Sequence, residues 1–108
     1  MDAAGKAMPQ RIRQLCTVQF GYTIMVKWSA QDKDRKNYIT EVIYREYRHP
    51  VVSSEWIQHT AREVMSHRRS EARDAFRSRL PKPVWLDAEE WEMIRDEQQT
   101  TPDRYRQQ

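Results

Sequence analysis

Four arginines of this 108-residue chain have the type and the spacing that could bind phosphate groups. Arg69, Arg73 and Arg77 are four residues apart, and Arg62 lies seven residues before Arg69, so on one helix all four would share a face. Between residues 62 and 82 there are seven cationic and three acidic side chains. Such a face can neutralise phosphates and gain affinity from counterion release, which makes the four arginines candidate nucleic-acid-binding residues. The alternative is a solvated face with ion pairs among its own side chains.

Residues 87–97 have the opposite charge, with six acidic side chains and Arg95 as the one cation. Acidic residues in the first turn stabilise a helix through its dipole, which explains part of this cluster structurally. Glu89, Glu92 and Asp96 could share a face, but neither a histidine nor a second carboxylate cluster completes a metal site. The sequence therefore predicts no metal, and we expect the acidic helix to pack near the basic one.

Other residues that could do chemistry lack the spacing of a site. The three histidines do not form a zinc-ligand pattern with Cys16, and a single cysteine excludes an internal disulfide. Two glycines cannot build a phosphate-binding loop. Trp85 and Trp91 flank a predicted helix start, where packing against a neighbouring helix is the expected role rather than stacking on bases. The sequence thus predicts a protein that is not an enzyme and needs no cofactor.

The start of the acidic helix is the best-defined boundary in the sequence. Pro83 disfavours helix at the residue before it. Asp87 can accept a hydrogen bond from the Glu90 amide while the Glu90 side chain reaches back, as in a capping box. Leu86 precedes this cap and Trp91 lies four residues after it, which is the spacing of a hydrophobic staple. These signals predict a helix that begins directly after Asp87.

The N-terminal part of the chain is harder to interpret. Residues 1–10 are small and polar and predict a flexible tail. From residue 18 to 28 the apolar residues alternate, which is typical of a strand. No second run of this period offers a partner strand, so an irregular or helical segment stays open as the alternative.

The elements that must position the charged residues are helices. An apolar stripe over residues 39–47 predicts one helix, capped by an aspartate of the charged segment 31–37. A stripe over residues 57–76 predicts the longest helix, with Ser53 or Ser54 as its cap. This long helix contains the four arginines, so it is expected to be the basic element of the fold.

Composition limits the fold class further. The mean hydropathy is -1.03, but four tryptophans and five tyrosines indicate a packed core instead of a disordered chain. Few glycines argue against hairpin-rich sheets, so we expect a mainly α fold, a small helical domain built on the basic and the acidic helix. This is either a single domain over residues 11–108 or a truncated fragment of a larger protein.

Charge and cysteine content also bear on location and partners. The net charge of +3 permits a nucleic-acid or acidic-protein partner without requiring one. The N-terminus lacks the apolar core of a signal peptide, and no segment has the length and apolarity of a membrane span. With one cysteine, a reducing compartment is expected. We therefore predict an intracellular protein, nuclear or cytoplasmic, without a membrane partner.

Residues from about Trp56 onward resemble the plant transposases of the Ptta/En/Spm family, which occur in many transposon-derived proteins. The motifs that carry the resemblance are Ser66–Asp74 in the arginine-rich helix, Lys82–Trp85, Glu89–Glu92, and Thr101-Pro102 with Tyr105. They cover about half the chain. The resemblance implies an origin in a transposable element, a nuclear setting, and association with DNA or with a transposase complex. It implies no catalytic residue.

The residues and the resemblance together lead to two expectations. The first is a non-catalytic, transposon-derived accessory module that associates with DNA or a transposase complex through Arg62, Arg69, Arg73 and Arg77. The second is a protein-interaction or self-association module without nucleic-acid binding, in which the basic and acidic helices form a hairpin and an aromatic edge holds the partner. Neither needs a small-molecule substrate.

Overall fold

The computed structural model describes the backbone of residues 2–48 and 52–100, and the side chains of residues 8–48 and 52–99. These residues form four α-helices: α1 (Asp2–Leu15), α2 (Lys33–Glu46), α3 (Ser54–Arg77) and α4 (Ala88–Thr100). Two short 3-10 turns, Val18–Phe20 and Trp28–Ala30, lie between α1 and α2. No strand occurs among the described residues, so the predicted mainly α fold is confirmed.

The chain divides into two compact units, unit 1 (Met1–Ser66) and unit 2 (His67–Gln108). Helix α3 begins in unit 1 and ends in unit 2. Each unit has buried apolar side chains of its own. The prediction of one domain over residues 11–108 stays a prediction.

In unit 1, α1 contacts α2. Met8, Ile12 and Leu15 are buried, and their spacing of four and three residues places them on one face of α1. Arg11 adds a bidentate ion pair to Glu46 of α2, with both nitrogen–oxygen distances at 2.8 Å. Apolar burial and this ion pair together hold the two helices side by side.

Residues 2–10, for which the sequence predicts a flexible tail, belong to α1. Pro9 lies inside the helix instead of ending a tail. A proline removes one backbone donor from a helix, and the burial of Met8 and Ile12 on either side of it offsets that loss.

The strand suggested for residues 18–28 is wrong. The structure contains the irregular alternative, with short 3-10 turns at Val18–Phe20 and Trp28–Ala30. Three groups of this segment's backbone find partners on the Gln31 side chain. Its amide nitrogen donates to the carbonyl oxygens of Thr23 at 2.6 Å and Val26 at 3.2 Å, and its oxygen accepts from the Thr23 amide at 3.3 Å. Tyr22 is buried, stacks on Trp28 and donates its hydroxyl hydrogen to the Arg35 carbonyl. The alternating aromatics thus pack beside α2 without forming a strand ladder.

Helices α2 and α3 both begin at predicted caps. Asp32 Oδ1 accepts hydrogen bonds from the amides of Asp34 and Arg35, at 2.8 and 3.3 Å. Ser53 Oγ accepts one from the Trp56 amide at 3.1 Å. These bonds satisfy amide donors that a helix start leaves without intrahelical partners. The sequence also predicts that Pro50 ends this helix, because a proline cannot continue it. That residue lies outside the described part of the chain, and α2 itself ends at Glu46.

Unit 2 contains the end of α3, a linker and α4. After Arg77 the chain turns with Arg79 in the left-handed region (φ 59°). The Leu80 amide donates to the Ala75 carbonyl and the Arg79 amide to the Phe76 carbonyl, which is a Schellman motif. Such a motif satisfies the last carbonyls of α3 and sends the chain away from the helix axis.

Helix α4 begins directly after Asp87, as predicted. The cap hydrogen bond comes from the Glu89 amide, at 3.0 Å to Asp87 Oδ2, where the Glu90 amide was the expected donor. Leu86 is buried, in keeping with its predicted position before the cap. Thr101 followed by Pro102 also predicts a helix start, as a cap with proline at the first helical position, and both residues lie outside the described part of the chain.

Candidate functional site

The four candidate arginines lie in both units. Arg62 is in unit 1, with its side chain 59% exposed. Its guanidinium nitrogen Nη2 lies 3.1 Å from His59 Nδ1 and 4.0 Å from the Glu63 carboxylate. The other three arginines belong to unit 2. We call the His67–Arg77 part of α3, the linker 78–87 and α4 the hairpin.

Arg73 joins the two helices of the hairpin through its contact with Glu97. Its Nε donates to Glu97 Oε2 at 2.9 Å and its Nη2 to Glu97 Oε1 at 2.6 Å, a bidentate ion pair between α3 and α4. The two side chains are only 31% and 26% exposed. The hydrogen bond from Arg73 lowers the pKa of Glu97 although partial burial acts in the opposite direction. Charge-assisted bidentate pairs of this kind are the stronger class of protein hydrogen bond.

Arg77 extends this contact by one helical turn. Its Nε donates to Gln98 Oε1 at 2.9 Å, and its Nη1 lies 3.5 Å from Asp74 Oδ1. Gln98 in turn donates to Glu97 Oε2 at 3.2 Å. Arg73, Glu97, Gln98 and Arg77 therefore form one polar network that joins α3 to α4. Arg77 keeps part of its surface, with 54% of its side chain exposed.

Arg69 lies beside this network and is half-buried. Burial and the neighbouring charge of Arg73 lower its pKa, while Glu97 acts in the opposite direction. An arginine remains protonated at neutral pH even so. A phosphate that approached Arg69 or Arg73 would have to compete with the Glu97 carboxylate for the same cations.

The structure thus places three of the four candidate residues together, but in contact with the acidic helix. The expected packing of acidic against basic helix accounts for this arrangement. Over residues 67–100 there are seven cationic and eight acidic side chains, so the hairpin has no cationic excess. In this structure, Arg73 and Arg77 therefore join α3 to α4.

Both tryptophans of the hairpin have partners. The Arg68 guanidinium carbon lies 5.4 Å from the centre of the Trp85 ring. Trp91 meets Phe76 edge to face at a centroid distance of 5.9 Å. These contacts agree with the packing role expected for the two tryptophans, and they place one aromatic contact on each side of the α4 start.

The linker has an unusual exposure pattern. Val84 is 98% exposed and Leu80 is 57% exposed. Lys82, between them, turns back: its Nζ donates to the carbonyl oxygens of Leu86 at 2.5 Å and Pro83 at 3.4 Å. The charged side chain is therefore half-buried while the aliphatic ones point to solvent.

Sequence reasoning missed the individual partners in this network. Glu97 lies 24 residues from Arg73, and no local signal distinguishes it from the other acids of α4. No pattern in the sequence indicated that Lys82 donates a hydrogen bond to the Leu86 carbonyl. A helical wheel of α4 could have separated Glu97 from the exposed acids only after the buried face, marked by Ile94, was known.

Several kinds of site are missing from the described part of the chain. No group of three histidine, cysteine or acidic side chains is close enough there to hold a metal ion. No helix among the described residues has both the length and the apolarity needed to cross a membrane. Cys16 is buried and is not part of a disulfide.

Comparison with known protein families, curated proteins and solved structures gave no match for this chain. The resemblance to plant transposases therefore rests on the motif residues between Trp56 and Tyr105 alone.

Proposed function

We propose that this chain is a non-catalytic accessory module of a transposon-derived protein, and that its hairpin binds another protein. The observation that carries the proposal is the contact of Arg73 and Arg77 with Glu97 and Gln98. Cations that hold α4 in place are less available to phosphates. The transposase-like motifs supply the class of partner, which is a transposase complex.

The exposed aliphatic side chains of the hairpin support a protein partner. Val84, Leu80 and Met93 are 98%, 57% and 47% exposed. Single exposed apolar residues are ordinary on a protein surface. Two of these three are on the linker. Because the core of a protein interface is more apolar than its rim, the linker is the part of the hairpin that we expect to contact a partner.

Binding to a purified transposase from an element with the same motifs tests the proposal. The double variant Leu80→Asp/Val84→Asp should lose binding, because it places charges in the contact. The matched control Val18→Asp/Val26→Asp changes exposed valines of unit 1 and should bind as the wild type does. A wild-type chain that forms no complex with any such transposase would contradict the proposed function.

DNA association is the second candidate, because Arg62 and Arg77 keep more than half of their side-chain surface exposed. Titration of duplex DNA over a salt series tests it. If the arginines contact phosphates, changing Arg69, Arg73 and Arg77 together to alanine should lower the salt slope by roughly one unit per lost contact. A wild-type chain that does not bind at low salt would exclude this candidate.

A further inference from the structure

We propose that a groove beside the linker is the docking site for a basic amphipathic protein segment, one with an aliphatic side chain flanked by lysine or arginine. This inference rests on the proposed protein-binding function and names the chemistry of the partner. The groove lies within unit 2, between the C-terminal part of α3 and the linker.

The groove has an accessible volume of about 880 Å³. Ala75, Leu80 and Val84 contribute its aliphatic surface, and Pro81 and Pro83 extend that surface along the linker. Its polar lining comes from α3 and from one lysine: His67, Ser70, Glu71, Asp74, Ser78 and Lys82. A segment that enters the groove would meet aliphatic side chains on one side and polar ones on the other.

The charge of the groove favours a basic segment. Glu71 is exposed, and the Asp74 side chain is 72% exposed. Among the described residues that line the groove, Lys82 is the only lysine or arginine, and its Nζ donates to the carbonyls of Leu86 and Pro83. Arg77 reaches Asp74 only at 3.5 Å and makes its shorter bond to Gln98. The groove therefore presents carboxylates next to aliphatic surface.

The linker is held in place before any partner arrives. The Schellman motif anchors it at Leu80, and the Leu86 amide donates to the Pro83 carbonyl at 3.1 Å at its other end. Pro81 and Pro83 have fixed φ angles. Binding to a rigid surface costs less conformational entropy than binding to a loop that must first become ordered.

A second copy of the chain is a poorer occupant than a foreign protein. The segment 10–15, with the sequence Gln-Arg-Ile-Arg-Gln-Leu, has the required chemistry. However, Ile12 and Leu15 are completely buried in unit 1, and Arg11 is paired with Glu46. This segment cannot leave unit 1 without exposing its core.

Two synthetic amphipathic peptides of equal length serve as probes, one of leucine and lysine and one of leucine and glutamate. Amide chemical shifts of the full chain report where each peptide binds. We expect the lysine peptide to shift the amides of residues 71–84, and the glutamate peptide to leave them unchanged. Equal binding of both peptides, or shifts confined to unit 1, would overturn the proposal.

Charge reversal in the groove gives the sharper comparison. Glu71→Lys/Asp74→Lys should weaken binding of the lysine peptide by about tenfold, because both rim carboxylates become repulsive. Glu55→Lys/Glu63→Lys makes the same change in net charge at exposed positions of unit 1 and should leave binding as it is. A control that weakens binding as much as the groove variant would overturn the proposal.

The transposase assay separates this inference from the proposed function. If the complex with transposase persists in Glu71→Lys/Asp74→Lys, the function stands and the groove assignment fails. If no complex forms but the lysine peptide binds at residues 71–84, the groove assignment stands and the proposed partner fails. Self-association that the groove variant abolishes would make a second copy the occupant and overturn the inference.

Discussion

The two units of this chain differ in how much apolar burial holds their helices. Of the nine largest fully buried side chains among the described residues, eight lie in unit 1 and one, Ile94, lies in unit 2. Unit 2 adds three further buried residues, Ala72, Ala75 and Leu86. Each unit also has a bidentate ion pair between two helices, Arg11 with Glu46 in unit 1 and Arg73 with Glu97 in unit 2. The ion pair therefore has the larger share in unit 2, where fewer large side chains are buried.

Polar groups inside the two units also differ in kind. In unit 1 the Gln58 side chain accepts a hydrogen bond from Trp28 Nε1 at 3.0 Å and donates to the Lys36 carbonyl and Thr40 Oγ1, at 2.7 and 2.9 Å. In unit 2 the polar contacts between α3 and α4 involve the charged side chains of Arg73, Arg77 and Glu97 and are partly exposed. Because unit 1 buries more large side chains, we expect it to be the more stable of the two units.

The largest expected effect is in the core of unit 1. Ile43→Ala removes a completely buried side chain and should cost about 2–5 kcal/mol in the free energy of unfolding, as for other large-to-small core changes. Ile94→Ala in unit 2 should fall at the lower end of this range, because fewer large side chains surround it. Urea denaturation measures both. A larger loss for Ile94→Ala would reverse the comparison of the two units.

Loss of the Gln58 amide is the next largest effect. Gln58→Ala leaves the indole nitrogen of the buried Trp28 without this acceptor and should cost about 1–3 kcal/mol. Gln19→Ala changes an exposed glutamine of the same unit and should stay within about 0.5 kcal/mol of the wild type. Equal stability of the two variants would show that the hydrogen bonds of Gln58 contribute little to the stability of unit 1.

The charged contact of unit 2 predicts a pH dependence. Because the pKa of Glu97 is lowered from 4.5 in the folded chain, its carboxylate stabilises the fold above that pH and loses this contribution as the pH falls below it. Glu97→Gln should therefore cost about 1 kcal/mol at neutral pH and less at an acidic pH below 4.5. Denaturation midpoints at the two pH values measure this. An equal loss at both would contradict a charged contact.

The smallest effect is a gain in stability at the end of α3. Arg79 pays for a left-handed conformation that glycine adopts freely, so Arg79→Gly should stabilise the chain by about 0.5–1 kcal/mol. Arg79→Ala keeps the strain and is the matched control, with no gain expected. Thermal denaturation distinguishes them, and a loss of stability in the glycine variant would show that the Arg79 side chain itself matters.

Local signals in the sequence were enough to predict helix starts. The starts of α2, α3 and α4 follow from Asp32, Ser53 and Asp87, because each cap bonds to an amide two or three residues away. The alternation over residues 18–28 was misleading, since the partner of its backbone is the Gln31 side chain and not a strand. Alternation of apolar residues is typical of a half-buried strand but does not define one.

The sequence predicted which arginines share a helix face but not which residues they contact. Helical spacing places Arg69, Arg73 and Arg77 on one face of α3. Which acid would meet them depended on how α4 docks, and docking depends on the buried face around Ile94 and Leu86. Contacts of this kind join residues far apart in the chain, so spacing alone cannot identify them.

A double-mutant cycle on Arg73 and Glu97 tests the central claim that the arginines of the hairpin hold α4. Arg73→Met, Glu97→Gln and the double variant are compared by urea denaturation at neutral pH, in low salt and in high salt. The prediction is a coupling energy of about 1 kcal/mol that becomes smaller in high salt, as expected for a partly exposed ion pair. Additive losses within about 0.3 kcal/mol would contradict the claim and leave Arg73 available for another partner.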